Sequence, residues 1–151
     1  MGKVYMTNLV STEAEDAVIG FLLNVSYSLE EKVFVFALLS PDKFASEINQ
    51  YLFERLTTAQ TFDKIMFWEH LTMYPKTKSL GIEWRDIEDI DDFVVKKDAE
   101  SYVQIVLDKY QRRQIYHFGE SLKDSMVKGE DQFEVALKAQ RILSGLSSKL
   151  K

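Results

Sequence analysis

The chain contains no cysteine. That excludes a disulfide scaffold, a thiol nucleophile and any cysteine-ligated zinc or iron–sulfur site, and it fits a reducing compartment. Only two prolines and six glycines occur in 151 residues, so collagen-like and low-complexity chains are excluded as well. The glycines, Gly2, Gly20, Gly81, Gly119, Gly129 and Gly145, are all isolated. A phosphate-cradling loop needs G-x-x-x-x-G-K-[ST], because closely spaced amides must wrap the phosphates. The one Gly-Lys pair is Gly2-Lys3, so the chain has no ATP site of its own. A G-x-S-x-G nucleophile elbow is also absent. No apolar run approaches the ~18 residues of a membrane span. The opening Met1-Gly2-Lys3-Val4-Tyr5 lacks the apolar core of a secretory signal. The expected location is the cytoplasm, with no membrane contact.

What is present is ordinary for a folded domain: 46% hydrophobic and 28% charged residues. The net charge of −5 opposes a grip on nucleic acid through phosphates, which relies on lysine and arginine to release counterions. Apolar residues recur at spacings of three and four, and alternating β-branched runs are scarce. The spacing predicts an all-α chain.

A capping box, Thr12-Glu13-Ala14-Glu15, is expected to open the first helix, with Ala14, Ala17, Val18, Phe21 and Leu22 inward. A second box, Ser28-Leu29-Glu30-Glu31, opens a helix carrying Leu29, Val33, Phe36 and Ala37, which Pro41 stops. A third helix is expected from about Lys43 to Ala59, with Ile48, Tyr51, Leu52 and Leu56 inward. Asp63 caps a fourth, carrying Ile65, Trp68 and Leu71, which Tyr74-Pro75 closes. In 76–97, Trp84, Ile87, Ile90 and Phe93 recur every three residues among many carboxylates. That pattern reads as a short helix or turn with a solvated acidic face. A calcium loop needs a glycine for its sharp turn, and none lies inside this acidic run.

From Asp98 to Lys128 nothing breaks a helix except one tolerated glycine, Gly119. About 30 residues at 1.5 Å each make roughly 45 Å, longer than a small core requires. Gly129 supplies a left-handed stop, and Asp131-Gln132-Phe133-Glu134 caps a last helix. Two such helices form an αα-hairpin. The expected architecture is a globular helical bundle, about 11–97, followed by a long antiparallel hairpin, about 98–148. Periodicity leaves two arrangements open for the hairpin: pairing with a second copy, or packing back on the first four helices. His70 and His117 lie in different predicted helices and form no metal motif. Lys109, Arg112 and Arg113 make the one dense basic cluster, read as pairing with carboxylates on the last helix or on a partner subunit, with a phosphate-contacting patch as the alternative. Carboxylate pairs such as Glu13 and Asp16 read as solvated faces.

An ordered set of landmarks carries a resemblance. Glu13-Ala14-Glu15-Asp16-Ala17-Val18-Ile19-Gly20 resembles the E-A-E-x-A-V-L-G opening of the DnaB-type replicative helicase N-terminal domain. Leu39-Ser40-Pro41-Asp42-Lys43-Phe44 is similar to its L-x-P-x-x-F, Tyr51-Leu52-Phe53 to its I-F segment, and Phe62-Asp63 with Leu71 to its I-D…L. Tyr102-Val103-Gln104-Ile105-Val106 and Tyr110-Gln111-Arg112-Arg113-Gln114-Ile115 resemble its Y-x-x-I-V…R-x-L-I. The likeness runs over about 11–150.

The resemblance implies a non-catalytic collar domain, dimeric through its hairpin and hexameric in the full-length helicase. It also implies partners: primase, a loader in some systems, and little direct DNA. ATP and magnesium are expected only in a separate motor domain, and no cofactor in this chain. The residues expected to carry self-association are Val103, Leu107, Tyr110, Phe118, Leu122, Met126, Phe133, Leu137 and Leu143. The rival expectations are a stand-alone adaptor that binds or regulates a helicase, a small enzyme with an unrecognised carboxylate site, and a DNA-reading module.

Overall fold

The structure is a computed structural model that describes residues 8–59 and 61–149. The described residues form helices and contain no strand. In chain order these are α1 (Thr12–Leu22), α2 (Leu29–Leu38), a 3-10 turn (Pro41–Lys43), α3 (Glu47–Ala59), α4 (Lys64–Thr72), α5 (Pro75–Ser79), α6 (Trp84–Glu88), α7 (Lys96–Val127) and α8 (Gln132–Lys149). The chain divides into two compact units, Met1–Tyr110 and Gln111–Lys151. The division falls inside α7 rather than before it, because Ala99, Val103 and Val106 are buried in the first unit's core.

Local signals explain most helix ends. Ser28 and Glu31 exchange hydrogen bonds as the second capping box requires. The Asp63 carboxylate accepts from the Ile65 and Met66 amides. Gly129 adopts φ +78°. Its amide donates to the Met126 carbonyl, and the Glu130 amide to Ser125, ending α7 in a left-handed turn. The Asp131 carboxylate then accepts from the Glu134 amide to start α8.

The first helix begins at Thr12 as expected, but its cap differs. Ser11, not Thr12, is the N-cap, and its hydroxyl accepts from the Ala14 amide. Glu15 is drawn elsewhere. It is buried, and its carboxylate accepts from the Ala45 amide at 2.8 Å, the Ser46 amide at 3.2 Å and the Asn49 side chain at 3.4 Å. It therefore ties α1 to the start of α3. Two backbone amides at a helix entrance, with a side-chain amide beside them, attract a carboxylate more strongly than one amide at its own helix end.

The core of the first unit is rich in aromatic contacts. Phe53 meets Phe36 at 5.4 Å and Phe44 at 5.0 Å, and Phe21 meets Tyr27 at 5.2 Å and Phe34 at 5.8 Å. Phe21, Phe44 and Phe53 are fully buried, and each contributes roughly 1.5–3 kcal/mol by leaving water. The inward face of α2 differs from the expected one. Leu29, Val33 and Ala37 are exposed, while Val35 and Lys32 are buried and Phe36 is half-buried. The Lys32 ammonium sits 4.8 Å from the centre of the Phe62 ring, and burial pulls its pKa below the ordinary lysine range. Ile48 and Ile65 are likewise exposed, whereas Phe53 and Phe67 take the core positions.

Residues 76–97 fold as α5, α6 and an extended stretch that lies on α1. Gly20 is the point of closest approach: a Cβ there would lie 2.0 Å from the Asp91 carbonyl oxygen. Asn24 donates to the Val94 carbonyl at 2.9 Å, and the Lys96 amide donates to the Tyr27 hydroxyl at 3.1 Å. The Lys64 ammonium donates to the Glu88 and Ile90 carbonyls at 2.7 and 2.6 Å, a cation seated where α6 ends.

Candidate partner-docking surfaces

Two surfaces stand out, one in each unit. In the first unit, α1, α3, the 82–95 stretch and the start of α7 enclose a groove of about 710 Å³. Ile19, Leu52 and Ile82 line it as buried side chains, and Ile90 as a half-buried one. Glu13, Asp16, Asp86, Asp89, Asp91 and Asp98 also line it, and no lysine, arginine or histidine does. Asp16 accepts from the Asn49 side chain at 3.0 Å. The Tyr102 hydroxyl donates to Glu13 at 3.4 Å, and the Glu13 charge pushes the Tyr102 pKa above its ordinary value. The pair expected to be a solvated face, Glu13 and Asp16, thus edges a concave site. Phe93 shares a three-residue recurrence with Trp84, Ile87 and Ile90. It is 82% exposed, because α6 ends at Glu88 and helical spacing no longer governs position 93.

The second unit comprises the later part of α7 and α8, joined by the Gly129 turn. Val135 is its one buried hydrophobic residue among those described. Met126, Phe133, Leu137 and Leu143 are exposed, and Phe118 and Leu122 are half-buried. Ile115, Tyr116, Val127 and Ile142 are exposed as well and had not been singled out from the sequence. Their signal was present in the same run of three- and four-residue spacings. Three of the expected self-association residues belong to the first unit. Val103 is wholly buried in its core, so it is closed to a second copy. Leu107 packs against that core, and Tyr110 is half-buried with the Lys43 ammonium 4.2 Å from its ring centre.

No group of three or more histidines, aspartates or glutamates that could hold a metal ion occurs among the described residues. His70 lies between Phe67 and Tyr74 in the first unit, and His117 is exposed beside Tyr116 in the second. Burial, then the charge of Arg55, lowers the His70 pKa. Lys109, Arg112 and Arg113 are each engaged in an interaction. No helix of the described residues is long and apolar enough to cross a membrane.

The family model of the DnaB-like helicase N-terminal domain matches residues 7–108. The chain belongs to that family. The match covers nearly the whole first unit and stops at the edge of the second. Among solved structures, the chain is similar to the N-terminal domain of DnaB helicase from Mycobacterium tuberculosis. The TM-score is 0.75 at 19% identity, covering 91% of this chain and 98% of the other. At that identity the likeness establishes the shared helical fold. A comparison with curated proteins found no match.

Proposed function

We propose that this chain is the non-catalytic collar domain of a hexameric replicative DNA helicase. It self-associates through its hairpin, recruits primase and, in some systems, a loader, and leaves ATP hydrolysis to a motor domain. The observation that carries the reading is the second unit's uncovered apolar surface. A two-helix unit that buries one hydrophobic residue gains most by burying its others against a copy of itself. The self-association set is Phe118, Leu122, Met126, Phe133, Leu137 and Leu143. Net charge −5 suits a collar that meets proteins rather than DNA.

The test is solution mass by light scattering across a concentration series, with the double variant Leu137→Asp, Leu143→Asp as comparison. Both residues are exposed, so the variant should fold, as circular dichroism would verify. A dimer or larger species that the variant reduces to a folded monomer supports the reading. A monomer at every concentration, or an oligomer indifferent to the double variant, overturns it. Co-elution of the chain with its host primase tests recruitment, and separate elution at micromolar concentration counts against it.

A further inference from the structure

The groove lies wholly within the first unit and has no part in the proposed self-association. It combines two unmet demands. At its mouth Phe93, Ile48 and Val95 expose apolar surface to water, Phe93 most of all. The Phe93 amide donates to Asp91 at 3.0 Å, which fixes the backbone that presents the ring. Around this apolar surface stand the six carboxylates, none ion-paired to a lysine or arginine among the described residues. Gathered carboxylates repel one another, and cations brought among them relieve that repulsion.

One occupant must satisfy both demands. Nucleic acid is excluded, because its phosphates meet only negative charge. The metal alternative fails, since the carboxylates are spread along the groove and no three carboxylates or histidines among the described residues are placed to hold one ion. An extended peptide has no sheet edge to join among the described residues, which contain no strand. What remains is a helix laid in the groove, read by apolar anchors on one face. We infer that the groove docks a basic amphipathic helix of another protein, its lysines and arginines paired with the rim carboxylates and a large apolar side chain set against Phe93. Central exposed aromatics are where binding energy of this kind concentrates.

The probe is a fluorescein-labelled synthetic helical peptide with one leucine face and one lysine–arginine face, titrated with the full chain by anisotropy. A counterpart with glutamate in place of every basic residue is the charge control. The variants are Phe93→Ala and Asp89→Asn in the groove, and Glu120→Gln on α7 in the second unit, which removes the same charge elsewhere. The basic peptide should bind and the acidic one should not. Phe93→Ala should weaken binding about tenfold, Asp89→Asn about threefold, and Glu120→Gln should leave it unchanged. Circular dichroism checks that each variant is folded. The inference is overturned if the basic peptide fails to bind, if Phe93→Ala binds as wild type, or if Glu120→Gln weakens binding as much as Asp89→Asn. A change in the chain's own solution mass on Phe93→Ala would assign the groove to a second copy and overturn it too.

Discussion

Replacing Gly20 by alanine isolates one contact that the fold depends on. The added Cβ would stand 2.0 Å from the Asp91 carbonyl oxygen, 3.1 Å from its carbon and 3.5 Å from Val94 Cγ2. Carbon and oxygen rest at about 3.3–3.6 Å, so one backbone must retreat by roughly 1.3 Å or more. Helix α1 cannot yield, since Val18, Ile19, Phe21 and Leu22 beside Gly20 are buried. The 91–96 stretch must lift instead, and it is held by the Asn24 bond to Val94 and the Tyr27 bond to Lys96. Stranding those polar groups costs about 1–3 kcal/mol each. Alanine's better helix propensity returns at most about 1 kcal/mol. The net expectation is a loss of about 1–5 kcal/mol. At about 2–4 °C per kcal/mol for a chain of this size, the melting temperature falls by roughly 2–20 °C. Urea titration and thermal melting by circular dichroism would measure it. Gly119→Ala is the control: it also lies inside a helix, but its Cβ meets nothing within 4 Å, so it should be neutral or slightly stabilising. If Gly20→Ala behaves like Gly119→Ala, the close approach of the 91–94 backbone to α1 is wrong.

Two other substitutions probe the first unit. Glu15→Ala should destabilise by about 2–4 kcal/mol in urea titration, because the Ala45 and Ser46 amides lose a charged acceptor; Glu15→Gln, which keeps one acceptor oxygen, should lose less. An equal loss for both would assign the effect to charge rather than to hydrogen bonding. His70 makes stability depend on pH. Burial and the Arg55 charge hold its folded pKa below the ordinary value, and its buried Nε2 has no partner. The unfolded chain therefore binds more protons, and stability rises with pH. This contribution is complete above about pH 6.5 and is lost as pH falls toward the lowered folded value. His70→Phe should flatten the slope of urea midpoint against pH between those limits, and an unchanged slope would remove His70 as its source.

The features legible in the sequence were those decided within four residues. Ser28 with Glu31, Asp63, Pro41 and Gly129 each act on their own turn of chain, and each ended or began a helix as read. Ser11 and Thr12 show where local reading fails. Both precede a usable helix start, and the choice fell to Ser11 because Glu15 was captured by α3, thirty residues away. The phase of α2 was illegible for another reason. Leu29, Val33, Phe34, Val35, Phe36, Ala37 and Leu38 cover every face, so periodicity could not select the one that packs on α1. In α4, Ile65, Met66, Phe67 and Trp68 are consecutive and equally ambiguous. The groove was hidden because its carboxylates come from three separate stretches. Each looks solvated alone, and only long-range folding gathers them.

The two units meet the hydrophobic demand in opposite ways. Residues 8–110 enclose a continuous core, and α7 contributes Ala99, Val103 and Val106 to it before the unit ends. That core is built within the unit, and the groove proposed to take a helical guest lies on it. The later part of α7 and α8 bury Val135 and expose Phe133, Leu137, Ile142 and Leu143. Apolar surface held in water costs about 25 cal/mol per Å², so this unit is the one that would gain from the proposed self-association. The family model ends at residue 108, two residues before the first unit does. Substitutions in the bundle should accordingly act on stability, and substitutions on the hairpin face on solution mass. The same substitution chemistry, a buried methyl at Gly20 or a charge at Leu137, reports on different equilibria according to which unit receives it.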